Sequence, residues 1–127
     1  MNDQEVILNS DRGPDRTVFV IRHLDPPLHA AIAKDFLKLR NQPKDMTIGV
    51  LIKLVRFGLR SWNLKNADNT AVPLTTGMAN VPGVGWYNGV TDDSLNKLEI
   101  SWMGELAEHI IHLNYPDSKD SDVNKDH

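Results

Sequence analysis

The side chains able to do chemistry lie mostly in the last third of the chain. His109 and His112 stand one helical turn apart, with Glu105 and Glu108 beside them, a spacing at which a divalent ion could bridge residues at i and i+3. No His-Glu-x-x-His order accompanies them, and His23 and His29 have no spacing that would recruit them. The four therefore read as a solvated helix face with Glu-to-His pairs. Asp92-Asp93 and Glu105/Glu108 suggest paired carboxylates for acid-base work, yet acids collect at helix N-termini for electrostatic reasons alone. Gly83-Val84-Gly85 lacks the third glycine, the following lysine and the strand-to-helix context of a phosphate loop. Ser61, Ser94, Ser101, Ser118 and Ser121 have no nucleophile-elbow context. The absence of cysteine excludes disulfides, thiolate metal sites and cysteine nucleophiles. The reading is a protein that is not an enzyme, with no catalytic residues and no metal or cofactor site.

These residues sit in a chain of 127, sized for one domain and able to bury about two-thirds of the surface its unfolded form exposes. No segment approaches the run of roughly 18 apolar residues that a membrane span needs. Met1 to Arg16 is polar and acidic, unlike a signal peptide. The expectation is a protein that stays in the cytoplasm, away from membranes. Its net charge of −3 hides an asymmetry: between Lys34 and Lys65 eight basic residues face two acidic ones, a local balance of +6 that leaves −9 for the rest. A basic middle between acidic ends suits self-association or an acidic helical partner.

The elements expected to position these groups are mostly helical. Residues 1–16 carry no sustained apolar period and read as a mobile arm, with a turn at Asp11-Arg12-Gly13-Pro14-Asp15. Thr17 to Arg22 is β-branched and aromatic, a strand whose partner is expected near Ala71-Val72 or Val81 to Val90. Asp25-Pro26-Pro27 announces a helix over 26–41, with Asp25 as N-cap and Leu28, Ala31, Ile32, Phe36 and Leu39 on one face. Asp45 or Thr47 can cap a second helix, 46–62, striped by Ile48, Leu51, Ile52, Val55, Leu59 and Trp62. Gly58 interrupts it at a cost of about 1 kcal/mol relative to alanine, and close approach of another backbone would explain it. Asn66-Ala67-Asp68-Asn69 is a turn signal, with Asn69 suited to positive φ. Residues 75–90 read as a glycine-rich loop or irregular hairpin around Trp86-Tyr87, while 92–114 is one kinked helix or two, with Ser101 as a possible cap and Trp102, Leu106, Ile110 and Leu113 on one face. Residues 116–127 have a composition that favours disorder. The fold class is thus mainly α: a small helical domain, 17–115, with a short N-terminal strand or minor β-hairpin, and both termini dispensable for folding.

Trp62 and Trp102 lie in the apolar phase of helices and are expected in the core. Trp86 and Tyr87 fall in a glycine-rich segment, where large aromatics serve either as interface anchors or as a cover for the core. With Arg56 and Arg60 on the basic helix, they are the candidate partner-binding residues.

Val55-Arg56-Phe57-Gly58-Leu59-Arg60-Ser61-Trp62, the turn at Asp68-Asn69, and Val72-Pro73-Leu74 are followed by Thr91-Asp92-Asp93-Ser94-Leu95-Asn96-Lys97-Leu98 and by Ser101 to Leu113, with its Glu105-Leu106-Ala107-Glu108-His109-Ile110 core. That order resembles the tail assembly chaperones of long-tailed bacteriophages and prophages over about half the chain. Departures are Asn69 where the family pattern has glycine, Leu74 where it has phenylalanine after Val-Pro, and Glu99-Ile100 where a Pro-Pro pair is usual. The resemblance implies a non-enzymatic protein of the bacterial host cytoplasm, many copies of which coat the helical tape measure protein and help recruit tail tube subunits. It also implies a longer form made by frameshift in some members. The partners so implied are the tape measure protein, the tail tube protein and further copies of the chain, with no nucleic acid. Two other readings remain open at this level. One is a small nucleic-acid-binding regulator using the basic helix 46–62, in which Lys53, Arg56 and Arg60 could follow a phosphate backbone; the other is a structural head-tail or tail-completion subunit.

Overall fold

The computed structural model describes residues 3–11, 16–39 and 44–115. Among them are five strands and four helices in the order β1 (Gln4–Ile7), β2 (Val18–Ile21), α1 (Pro26–Leu39), α2 (Lys44–Gly58), β3 (Leu59–Trp62), β4 (Thr76–Val81), β5 (Gly85–Val90), α3 (Asp92–Leu95) and α4 (Ile100–Asn114). The fold is α+β, which corrects the mainly α expectation: one antiparallel sheet has the order β1-β2-β3, and a second is the β4-β5 hairpin. The expected disordered tail 116–127, most of the turn at 11–15 and the capping of α2 by Asp45 or Thr47 lie outside the described residues or side chains.

The first departure is at the amino terminus. Residues 4–7 are a strand rather than part of a mobile arm, pairing with β2 so that Val6 lies opposite Phe19. Val6 and Leu8 are buried in the common core. The apolar pattern is only two residues deep, and what holds it in place is polar. Asp11 accepts a hydrogen bond from the Thr17 N–H (2.6 Å), and Arg16 donates to the Leu8 and Asp11 carbonyls. The partners of β2 are therefore β1 and β3, not the 71–72 or 81–90 segments.

The second departure lies at the end of α2. The apolar stripe through Leu59 and Trp62 continues the helical spacing, yet the helix stops at Gly58 and these residues form β3. In a regular strand, residues three apart face opposite ways. Here Ile21 lies opposite Leu59, Val20 opposite Ser61 and Phe19 opposite Trp62, so Arg60 is an extra residue in the ladder. That bulge returns Leu59 and Trp62 to one face. Phe19 then receives the edges of two rings, Trp62 at 6.3 Å and Trp102 of α4 at 5.9 Å, both nearly perpendicular. This is the favoured geometry for aromatic pairs. The two tryptophans are partly buried and pack against the core; Trp62 also donates its indole N–H to the Val72 carbonyl (2.8 Å).

The helices follow the expected stripes more closely. The Asp25 carbonyl accepts the first helical bond of α1 from the His29 N–H, and Leu28 and Ile32 are buried. Residues 92–114 are two helices. Thr91 caps α3 through the Ser94 N–H, and α4 begins at Ile100 after Glu99, so Ser101 is not its cap. Leu95, Leu98, Met103, Leu106 and Ile110 enter the core. Gly58 lies tight against α4: a Cβ there would stand 2.7 Å from Ile110 Cγ2. The close neighbour is thus a side chain of α4 and not another backbone. Residues 76–90 are a regular hairpin. The Val84 N–H returns to the Val81 carbonyl across Pro82 and Gly83 (φ 77°), the proline and glycine positions of a type II turn. Asn69 takes φ 71°, as its turn requires.

Two stability measurements follow. Leu8 is fully buried, so Leu8→Ala should cost about 2–5 kcal/mol, and a chain lacking residues 1–8 should melt well below the full-length protein; urea titration of both checks this. Gly58→Ala should destabilise by about 1–3 kcal/mol through overpacking against Ile110, despite the better helix propensity of alanine. The same substitution in an Ile110→Val background should cost measurably less, a coupling that a double-mutant cycle reads directly.

Candidate functional site

The four candidate partner-binding residues lie around the β4-β5 hairpin and the end of α2, but the fold uses them differently. Arg56 is held within the structure: it donates to the Val90 carbonyl (2.9 Å) and pairs with Asp92 (2.6 Å), tying α2 to the start of α3. Arg60, on the bulge of β3, pairs with Asp3 at 3.0 Å. Lys53, the third cation of the basic helix, pairs with Asp35 at 2.8 Å. Each side chain that was to follow a phosphate backbone has an acidic partner in its own chain.

Strand alternation separates Trp86 from Tyr87. Tyr87 is half-buried and meets Phe57 of α2 edge-on at 6.5 Å. Its neighbour Gly89 lies against α2, where a Cβ would come within 2.9 Å of Arg56 Cγ and 3.1 Å of the Arg56 carbonyl. Trp86 is 65 % exposed, and Met78 is 62 % exposed. In the hairpin register Met78 lies opposite Asn88, and Asn80 opposite Trp86. These four share the outward face. A methionine and a tryptophan bordered by two neutral amides make a flat surface of the composition enriched at the centre of protein interfaces. Met78 carries no signal in the sequence, because a segment that reads as a glycine-rich loop or irregular hairpin gives no register to assign it a face.

A cleft of about 300 Å³ opens beside the hairpin, lined in part by Arg22, His23, Asp25, Arg60, Tyr87 and Asn88. Arg60 and Tyr87 do meet there. The guanidinium of Arg22, however, donates to the Phe57 and Asn88 carbonyls (2.9 and 2.8 Å), and Arg60 is paired with Asp3. The lining combines Arg22 and Arg60 with Asp3 and Asp25, a mixture that suits a neutral polar chain segment better than an anion.

The histidine and carboxylate cluster is divided by the fold. Both oxygens of Glu105 are engaged: its carboxylate accepts the Asn9 N–H, the Ser10 N–H (3.0 Å) and the Ser10 hydroxyl (2.8 Å). Glu105 is therefore the clasp that closes the N-terminal segment onto α4. Burial pushes its carboxyl up, but the hydrogen bonds from Asn9 and Ser10 and the nearby His109 outweigh this and leave it below the ordinary glutamate value. His112 is exposed. Among the described residues no group of three or more His, Cys, Asp or Glu is placed to hold a metal ion, and no helix is long and apolar enough to cross a membrane.

Asn114 and Tyr115 position this region without having been singled out in the sequence. Asn114, buried at the end of α4, accepts the Leu24 N–H (2.8 Å) and donates to the Ile110 carbonyl (3.0 Å). His29 stacks on Tyr115 at 4.1 Å, and the Tyr115 hydroxyl donates to the His29 carbonyl (2.6 Å). Burial, with a smaller contribution from Asp35, pushes the Tyr115 phenol up to about 12 and keeps it a donor.

Comparison of the chain with protein-family models, with curated proteins and with solved structures returned no match.

The Glu105 clasp has a pH signature. A carboxylate depressed in the folded state contributes stability above its unfolded value and loses it as the pH falls through its folded one. Glu105→Gln should therefore lower stability by about 1–2 kcal/mol at neutral pH, allowing for solvent exposure. The gap from wild type should close in acid, which urea titrations across the carboxylate range would show.

Proposed function

We propose that this protein is a tail assembly chaperone of a long-tailed bacteriophage or prophage. It acts in the host cytoplasm by coating the tape measure protein and handing it to tail tube subunits, and it has no catalytic role. The observation that carries the reading is the order of motifs from Val55 to Leu113, which follows the family pattern through a helix end, a turn, a Val-Pro exit and a terminal helix. Many of the patterned positions, among them Val55, Leu59, Val72, Leu95, Leu98, Leu106 and Ile110, are buried, so in this chain the pattern falls largely on core positions.

The surface supports the same reading. A long amphipathic helix presents an apolar stripe, and the outward Met78 and Trp86 offer it a neutral, flat contact. One such contact is small, and repeated copies along one long partner add their binding free energies. The neighbouring cleft, where Arg22 and Arg60 are already engaged within the chain, could seat polar side chains bordering the stripe. Duplex DNA is a poorer fit, since Lys53, Arg56 and Arg60 would have to leave Asp35, Asp92 and Asp3.

Co-expression with the tape measure protein of the same phage and size-exclusion chromatography test this. The expected result is a soluble complex with several copies of the chain per tape measure, weakened by Trp86→Ala while the melting temperature of the free protein stays close to wild type. A chain that ignores the tape measure but binds duplex DNA with a steep salt dependence would establish the regulator instead.

A further inference from the structure

The two long edges of the β4-β5 hairpin are finished differently. The Thr91 N–H donates to the Thr75 carbonyl, which sets the phase of the ladder: with Thr76 opposite Val90 and Met78 opposite Asn88, the backbones of Gly77, Ala79 and Val81 turn toward β5, and those of Thr76, Met78 and Asn80 turn away. The same phase turns Asn88 and Val90 of β5 outward. There the chain closes its own edge, with Arg22 donating to the Asn88 carbonyl and Arg56 to the Val90 carbonyl. No described residue does this for β4.

An open strand edge is a template for another strand, and proteins that must stay apart blunt it with charge, proline or a bulge. The other sheet follows that rule, since edge strand β1 carries Glu5 and edge strand β3 carries Arg60 in a bulge. β4, Thr-Gly-Met-Ala-Asn-Val, has none of these devices over its six residues. It lies within a stretch of 23 residues, 69–91, that contains no charged side chain in a chain that is 24 % charged.

We propose that the free edge of β4 pairs antiparallel with β4 of a second copy of this chain, in the register that places Met78 opposite Met78 and Thr76 opposite Asn80. A two-fold axis sets each residue near its own duplicate, so any charge close to the axis would meet a like charge. A neutral segment is what such a contact requires, and an acidic or basic partner would leave that neutrality without a purpose. In this register every outward N–H and C=O of Thr76, Met78 and Asn80 meets a complementary group. The two hairpins become one four-stranded sheet whose outer face carries Met78 and Trp86 from both copies. The pairing holds whether or not the partner of that face is a tape measure protein.

The chain has no cysteine, so single-cysteine variants report the register cleanly. A hydrogen-bonded antiparallel pair holds its Cα atoms about 5.5 Å apart, within the roughly 4.4–6.8 Å that a disulfide spans. Met78→Cys should form a reducible covalent dimer under mild oxidation, and Lys97→Cys, exposed and outside β4, should not. Wild type should sediment as a concentration-dependent dimer. Met78→Pro removes only an outward N–H and should be monomeric with an unchanged far-UV spectrum; Met78→Lys, which puts like charges on the axis, tests the same point if the proline variant folds poorly. A monomeric wild type, a dimer that survives Met78→Lys, or cross-linking of Met78→Cys no faster than that of Lys97→Cys would each overturn the proposal. So would a monomer whose β4 edge is filled by a strand of the tape measure protein.

Discussion

The rest of the structure depends on Arg22, which follows β2 and ties it to α2, β5 and α4. Its N–H donates to the Gly58 carbonyl (2.8 Å), its Nε to the Phe57 carbonyl and one terminal nitrogen to the Asn88 carbonyl, while its own carbonyl accepts from Asn114. The last carbonyls of a helix have no partner within the helix. Arg22 satisfies two of them at the point where α2 becomes β3, and so fixes both the end of the helix and the sheet edge that begins there. The same side chain reaches β5 and holds the hairpin against the body of the domain. Hydrophobic burial supplies the driving force, but it has no direction; the guanidinium supplies the geometry.

That division of labour explains what could be read from the sequence. α1, α2 and α4 were legible because their apolar residues recur at helical spacing and their starts carry proline or small polar residues. The three-residue step from Leu59 to Trp62 carried the wrong message, because a bulged strand and a helix present the same two residues to the core. The glycines left the hairpin legible only as an alternative to a loop. Gly77, Gly83, Gly85 and Gly89 read as loop composition, whereas Gly83 makes the turn and Gly89 lets β5 lie on α2. β1 was invisible because Val6 and Leu8 are too few to show a period, and its partner is set by contacts far along the chain.

The candidate site was legible in part. Trp86 and Tyr87 read as either interface anchors or a core cover, and the strand divides the two: Trp86 is exposed and Tyr87 faces inward, because successive residues of a strand point to opposite faces. Arg56 and Arg60 were chosen for their charge, and local composition gives no sign that Asp92 and Asp3 would take them up. Met78, Arg22, Asn114 and Glu105 act through alternation or through partners distant in sequence, and neither signal is available before the strands are paired. The polar residues that shape this domain are thus inside its hydrogen-bond network, while the surface with the composition of an interface is neutral.

Glu105 carries a consequence for the order of folding. The residues it clasps, Asn9 and Ser10, precede it by 96 and 95 positions. β1 can pair locally with β2, but Asn9 and Ser10 gain their carboxylate partner only when α4 is in place. Closing a loop of that length is slow compared with forming local helices, so the clasp closes after the elements it joins.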